Sequence, residues 1–99
     1  QKKPRVTKEE KPTTTYAATY ESVKEAHERI RDAVNLTPVM TCGIMDTLSG
    51  LELFFKCENF QKVGAFKFRG ATNAVRKYME AGGTGPLVTH SSGNHAQAL

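Results

Sequence analysis

Ninety-nine residues make one small domain or a piece of a larger one. Apolar residues are 38% and charged residues 24% of the chain, and a chain this short removes only about 60–65% of its unfolded surface from water on folding. No apolar run reaches the roughly 18 residues of a membrane helix, and none near Gln1 reads as a secretory leader.

The net charge of +4 is local. Lys2, Lys3, Arg5, Lys8 and Lys11 against Glu9 and Glu10 put +3 of it into the first eleven residues. Such a Lys/Thr/Pro stretch, with almost nothing apolar, reads as a disordered basic tail over residues 1–19. A nucleic-acid binder would carry its excess on a folded face among aromatics, so nucleic acid is not an expected partner. Cys42 and Cys57 are too few for a disulfide scaffold and read as small buried hydrophobes in a reducing, intracellular setting.

Order is expected from residue 20. Ser22-Val23-Lys24-Glu25 has a capping-box pattern, and Val23, Ala26, Ile30 and Ala33 or Val34 recur at helical spacing, which predicts a helix over 23–34. Pro38 enforces the stop. A short helix over 44–48 should end at Gly50. Leu51 to Cys57 is apolar and partly aromatic, a predicted strand. After the polar loop from Asn59 to Gly64, a helix over 66–81 places Phe68, Ala71, Val75 and Tyr78 or Met79 on one face. Gly82-Gly83 ends it and Gly85-Pro86 turns the chain. Leu87 to His90 suits a buried parallel strand, Ser91 to Asn94 a loop, and His95 to Leu99 a helix start. A β-α-β order implies a parallel sheet covered on both faces, which two strands cannot supply. The expected fold class is therefore α/β, with residues 20–99 the N-terminal portion of a larger protein.

Two segments are suited to chemistry. In Gly64-Ala65-Phe66-Lys67-Phe68-Arg69-Gly70 a lysine lies between two phenylalanines where a loop becomes a helix. Aromatic walls and a helix N-terminus favour the neutral amine, a nucleophile for carbonyls; a lysine whose stem packs on the rings while its head reaches water has the same sequence. In His90-Ser91-Ser92-Gly93-Asn94-His95 a strand end meets a helix start, where open α/β sheets bind ligands and free N–H groups meet anions. The same residues also suit a polar turn with Ser92 or Asn94 as helix cap. Other chemistries lack their frames. Ser91 and Ser92 sit in no G-x-S-x-G elbow, no lysine follows Gly85 as in a phosphate loop, and Cys42, Cys57, His90 and His95 are scattered for zinc, so no metal ligand is assigned.

Together, Glu58-Asn59-Phe60-Gln61-Lys62-Val63-Gly64-Ala65-Phe66-Lys67-Phe68-Arg69-Gly70-Ala71 and Thr89-His90-Ser91-Ser92-Gly93-Asn94-His95-Ala96-Gln97 resemble the cofactor-lysine motif and the substrate-carboxylate loop of the fold-type II pyridoxal phosphate (PLP) enzymes. The likeness runs from Tyr20 to Leu99 and points to the serine racemase and serine/threonine dehydratase branch. It implies a tryptophan synthase β-like fold, of which this chain is an incomplete N-terminal part. It implies that Lys67 carries PLP through its amine and takes the Cα proton, with Phe66 beside the cofactor ring and Asn94 on its 3′ oxygen. Ser91, Ser92, Asn94 and His95 would hold the substrate carboxylate. Ser92 would be the second acid/base on the opposite face, a position where many dehydratases of the group have Ala.

The implied reaction is interconversion of L- and D-serine, with dehydration to pyruvate as a side activity. The alternatives are a serine/threonine dehydratase alone and a truncated, non-catalytic piece. The resemblance further implies a homodimer in the cytosol, or in a plastid if the basic tail is a targeting remnant, with L-serine or L-threonine as substrate. ATP and Mg2+ or Ca2+ are implied effectors. Ile44, Lys62 and Gln97 match nucleotide positions, whereas Val63 departs from the hydroxyl residue usual beside them. Ala65 and Ala96 replace a common Ser and a common Gly. The phosphate cup and the metal ligands are expected beyond Leu99.

Overall fold

The computed structural model describes residues 15–99. Most of the basic tail expected over 1–19 lies outside them. Helix α1 spans Tyr20–Ile30, strand β1 Val39–Met40, α2 Gly43–Ser49, β2 Phe55–Lys56, α3 Lys67–Glu80 and α4 Asn94–Ala98. Two single 3-10 turns, Glu58–Phe60 and Lys62–Gly64, connect β2 to α3. No described helix is long and apolar enough to cross a membrane.

The start of α1 differs from expectation in an instructive way. Its N-cap is Thr19, whose hydroxyl accepts the Ser22 N–H at 3.1 Å while Ser22 Oγ accepts the Thr19 N–H at 2.8 Å. The capping box is thus Thr19 with Ser22, three residues ahead of the Ser22–Glu25 pair. A hydroxyl at both positions satisfies two orphan donors as well as a Ser–Glu pair does, and it starts the helix one turn sooner. The helix also ends earlier, at Ile30, where Ala33 and Val34 both donate to the Ile30 carbonyl at 2.8 and 3.2 Å and tighten the chain into a turn.

Helices α1 and α3 lie side by side. Ile30 from one and Ala71 from the other are 5% and 2% exposed, and the small Ala71 lets the backbones approach. Burial of the Ile30 side chain is worth about 2–3 kcal/mol. Polar contacts frame this seam. Arg29 donates to Glu80 at 2.9 Å and to Asn73 at 2.8 Å, and Arg76 donates to the Arg29 carbonyl at 2.6 Å and pairs with Asp32. Arg76 thereby meets one of the carbonyls that the end of α1 leaves unpaired. Its guanidinium holds the Asp32 carboxyl below the usual carboxylate range, and the Asp32 carboxylate raises Arg76 in turn.

The apolar face expected on α3 is present. Phe68, Ala71, Val75 and Met79 line one cavity with Ala98 and Leu99 of the α4 end. Of the two candidates for its last member, Met79 takes the place, because Tyr78 turns to the helix terminus and its hydroxyl accepts the Gly85 N–H at 3.1 Å. The Tyr78 ring lies so close to Gly83 that a Cβ there would clash with it, which is why the stop needs glycine at 83.

The strands are shorter than the sequence suggests, and the ladder among the described residues joins β2 to β1 instead of to residues 87–90. Val39 pairs with Lys56 and Met40 with Phe55, antiparallel. Only Phe55–Lys56 of the predicted 51–57 strand is laddered, and Leu87 to His90 has no ladder partner among the described residues. The apolar run sets a capacity for strand structure, but a strand exists only opposite a partner with free donors and acceptors. Large apolar side chains on this side remain open, among them Leu51, Phe54 and Val88 at 63%, 64% and 91% exposure. Cys42 and Cys57 are free thiols, half-buried where full burial was expected.

Candidate active site

Lys67 is the first residue of α3, with Phe66 as the N-cap. The segment before it is sharply bent. Val63 has φ 59° and Gly64 φ 70°, two successive residues in the left-handed region, after which Ala65 is extended and buried at 6% exposure. Glycine adopts that conformation freely, but for a β-branched residue it is strained. The bend turns the chain so that Ala65 enters the interior and Lys67 emerges beside Phe66. The Lys67 ammonium lies 5.7 Å from the Phe66 ring centre.

The second aromatic wall expected around Lys67 is not there. Successive helix residues point about 100° apart, so Phe68 faces the α3–α4 side, where its ring meets Lys62 Nζ at 5.6 Å. Lys67 and Phe66 are exposed. Among the described residues the amine therefore stands against one ring and is not desolvated by two.

The loop from His90 to Asn94 faces Lys67 across a cleft of about 610 Å3. The cleft is lined by Phe66 and Lys67 on one side and by His90, Ser91, Ser92, Gly93, Asn94 and His95 on the other. The two motifs, far apart in sequence, thus form one site. Ser91 Oγ accepts the Gly93 N–H at 3.1 Å, a local turn that aims the loop. Gly93 is the N-cap of α4, with no side chain capping it, so Ser92 and Asn94 are not helix caps and remain exposed on the cleft. Gly93 leaves open space where a Cβ would stand. His90 belongs to this lining although its residue type alone gave no reason to single it out.

The remaining predicted positions lie outside this cleft. Ile44 lies on α2 and lines a separate shallow cavity with Cys42 and Leu48. Lys62 donates to the Ala33 carbonyl and stands over Phe68, and Gln97 lies on α4. None of the three lines the Lys67 cleft.

Sequence reasoning missed the residues that hold the lysine segment in place. Gln61 is 3% exposed, and its carboxamide is fully used. Its oxygen accepts the N–H groups of Asn35 and Lys62 at 2.9 and 3.0 Å, and its nitrogen donates to the Asn35 carbonyl at 2.9 Å and to Glu58 at 3.4 Å. Glu58 pairs with Arg69, two residues beyond Lys67. The Arg69 guanidinium holds the Glu58 carboxyl below the usual carboxylate range against the opposing effect of burial, with smaller help from Gln61 and Thr37. The signal was present as polar residues inside a motif, but the partner peptide at Asn35 is 26 positions away.

A profile of the family described as pyridoxal-phosphate dependent enzymes matches residues 30–99. The chain belongs to that family. It is 54% identical over 87 residues to human serine racemase, covering 85% of this chain and 26% of the relative. It is 52% identical over 84 residues to beta-hydroxyaspartate dehydratase of Paracoccus denitrificans, covering 85% of this chain and 27% of that protein. The structure of maize serine racemase superposes with a TM-score of 0.71 at 50% identity, covering 84% of this chain and 26% of that one. The chain therefore spans about a quarter of the length of the relatives it matches, and its fold is part of the fold-type II architecture, where the parallel sheet expected from the sequence belongs.

The cleft fits the cofactor of this family. It presents one lysine amine beside an aromatic ring, side-chain donors on the opposite wall and a glycine that keeps that wall open. Its volume lies within the range of small-molecule sites, about 300–1,000 Å3.

Proposed function

We propose that the protein carrying this chain is an amino-acid racemase that interconverts L- and D-serine and also eliminates water from L-serine, the enamine product hydrolysing to pyruvate and ammonia. What supports this reading is that Lys67 and Ser92, from two distant segments, line one cleft. PLP, when bound, supplies an electron sink that makes the substrate Cα–H acidic. Lys67 would hold the cofactor, with Phe66 beside it and Asn94 as a side-chain donor to it.

Ser91, Asn94 and His95 take the substrate carboxylate. Because α4 has only five residues, its dipole adds little, and these side-chain donors and nearby N–H groups carry the anion. Racemisation moves a proton off one face of Cα and delivers another to the opposite face, so two groups must flank that carbon. Lys67 Nζ serves one face and Ser92 Oγ the other. A hydroxyl is a weak acid and base unaided, and the surrounding site must make its proton easier to move. Elimination of water needs Lys67 alone, because the amine that takes the Cα proton can return it to the departing β-hydroxyl while the electron pair left on Cα closes the Cα–Cβ double bond.

A dehydratase without racemisation is the second reading, supported by the 52% identity to a dehydratase of a β-hydroxy amino acid. Product chirality separates the two. In the full-length enzyme, Ser92→Ala should lower D-serine formation by about a hundredfold or more while pyruvate formation stays within a few-fold. Equal loss of both products, or loss of neither, removes Ser92 from its assigned role.

A further inference from the structure

The reading of Lys67 as the cofactor lysine leaves open how a residue at the edge of a strained loop keeps one direction. Three features converge on this question. Val63 sits at φ 59°, a conformation that persists only where neighbouring structure over-determines it. Gln61 brackets that residue, accepting the Lys62 N–H on its side chain at 3.0 Å and the Gly64 N–H on its own carbonyl at 2.8 Å. The same carboxamide is clamped on both its oxygen and its nitrogen to the Asn35 peptide at 2.9 Å. Beyond the lysine, Arg69 reaches the Asn35 carbonyl at 3.4 Å and pairs with Glu58, which Gln61 also touches.

We propose that Gln61 is a positioning residue for Lys67, its buried carboxamide tying the strained turn before the lysine and, through Glu58 and Arg69, the helical turn after it to the backbone of the one residue Asn35. Deleting the carboxamide takes the partner from two amide N–H groups, those of Asn35 and Lys62, and leaves the Asn35 carbonyl to Arg69 alone, so that only the Gly64 N–H on the residue-61 carbonyl still holds the turn around Val63. The loop relaxes, and Lys67 keeps its amine but not its aim. Ordinary core stabilisation by Gln61 would predict a loss of stability alone. A positioning role, which rests on the proposed chemistry of Lys67, predicts a loss in the rate at which a folded protein captures PLP.

The test uses the full-length enzyme stripped of its coenzyme, with PLP as the probe and the visible band of the lysine-bound coenzyme as the readout. Borohydride trapping and peptide mapping on the unaltered enzyme come first. A label on a residue other than Lys67 defeats the cofactor-lysine reading, and this inference with it. With the label on Lys67, Gln61→Ala at full fold content by circular dichroism should slow capture roughly tenfold. Adding Val63→Gly should restore it to within roughly threefold, since glycine holds the left-handed turn without support. Capture at the unaltered rate in Gln61→Ala, or a loss that Val63→Gly leaves untouched, overturns the positioning role while leaving Lys67 in place. Should Gln61→Ala not fold, Arg69→Lys carries the test. It keeps the charge beside Glu58 but loses the forked reach to Asn35, so capture should slow by roughly threefold, and an unchanged rate overturns the proposal.

Discussion

The two walls of the cleft are built differently. The lysine wall, Glu58 to Arg69, is tied down by a buried carboxamide, an ion pair and several side-chain bonds to the segment after α1. The facing wall, His90 to Asn94, is mostly exposed, and among the described residues its side chains make one hydrogen bond, Gly93 N–H to Ser91 Oγ. A group bound covalently at one atom needs that atom aimed in advance. A carboxylate held by several donors tolerates a softer wall that closes on it. On the proposed reading, the covalent half of the chemistry falls on the more firmly tied of the two walls.

The largest effect should follow from removing the aimed atom. Lys67→Ala in the full-length enzyme should abolish borohydride-trappable coenzyme and lower racemisation by about a thousandfold or more. Retained trapping would show that the lysine wall is not the cofactor wall. Next comes the support behind that wall. Ile30→Ala should cost about 2–4 kcal/mol in urea unfolding, because it opens a cavity under α3. Ser91→Ala on the soft wall should cost about 0.5–1 kcal/mol by the same measurement, and equal losses would erase the distinction between the walls.

Smaller effects test the strain and the charge. Val63→Gly should raise stability by about 1 kcal/mol, relief of the left-handed strain outweighing the extra freedom of an unfolded glycine. A loss of stability would mean that the Val63 side chain contributes more by packing than its backbone costs. The Glu58 carboxyl lies below its ordinary value of 4.5 because of Arg69. The pair therefore stabilises the fold fully above that value, and the contribution fades as the pH falls below 4.5 through the depressed folded value. Glu58→Gln should be less stable than the unaltered protein at neutral pH, and the gap should narrow below pH 4.5. A gap independent of pH would mean that the carboxylate's charge plays no part in holding the wall.

Much of this was legible one residue at a time. The helix over 67–80 followed from the spacing of Phe68, Ala71 and Val75, and the stop of α2 from Gly50, which adopts the left-handed cap at φ 69°. Phe66, Lys67, Ser91, Ser92, Asn94 and His95 stand in two local motifs that resemble those of the PLP enzymes, and all six line one cleft. The capping box was misplaced by one turn because two hydroxyls satisfy the same donors as a Ser–Glu pair.

What lay beyond the sequence was every relation between segments. The direction of Phe68 away from Lys67, the antiparallel partner of Phe55–Lys56 and the anchoring of Gln61 on Asn35 depend on which surfaces meet in space. A side chain's capacity to donate, accept or pack is intrinsic to the residue, so composition and spacing reveal it. The partner that uses this capacity is supplied by chain reversal across tens of residues, and only the folded structure decided that Gln61 and Arg69, on either side of Lys67, would both bond the backbone of Asn35.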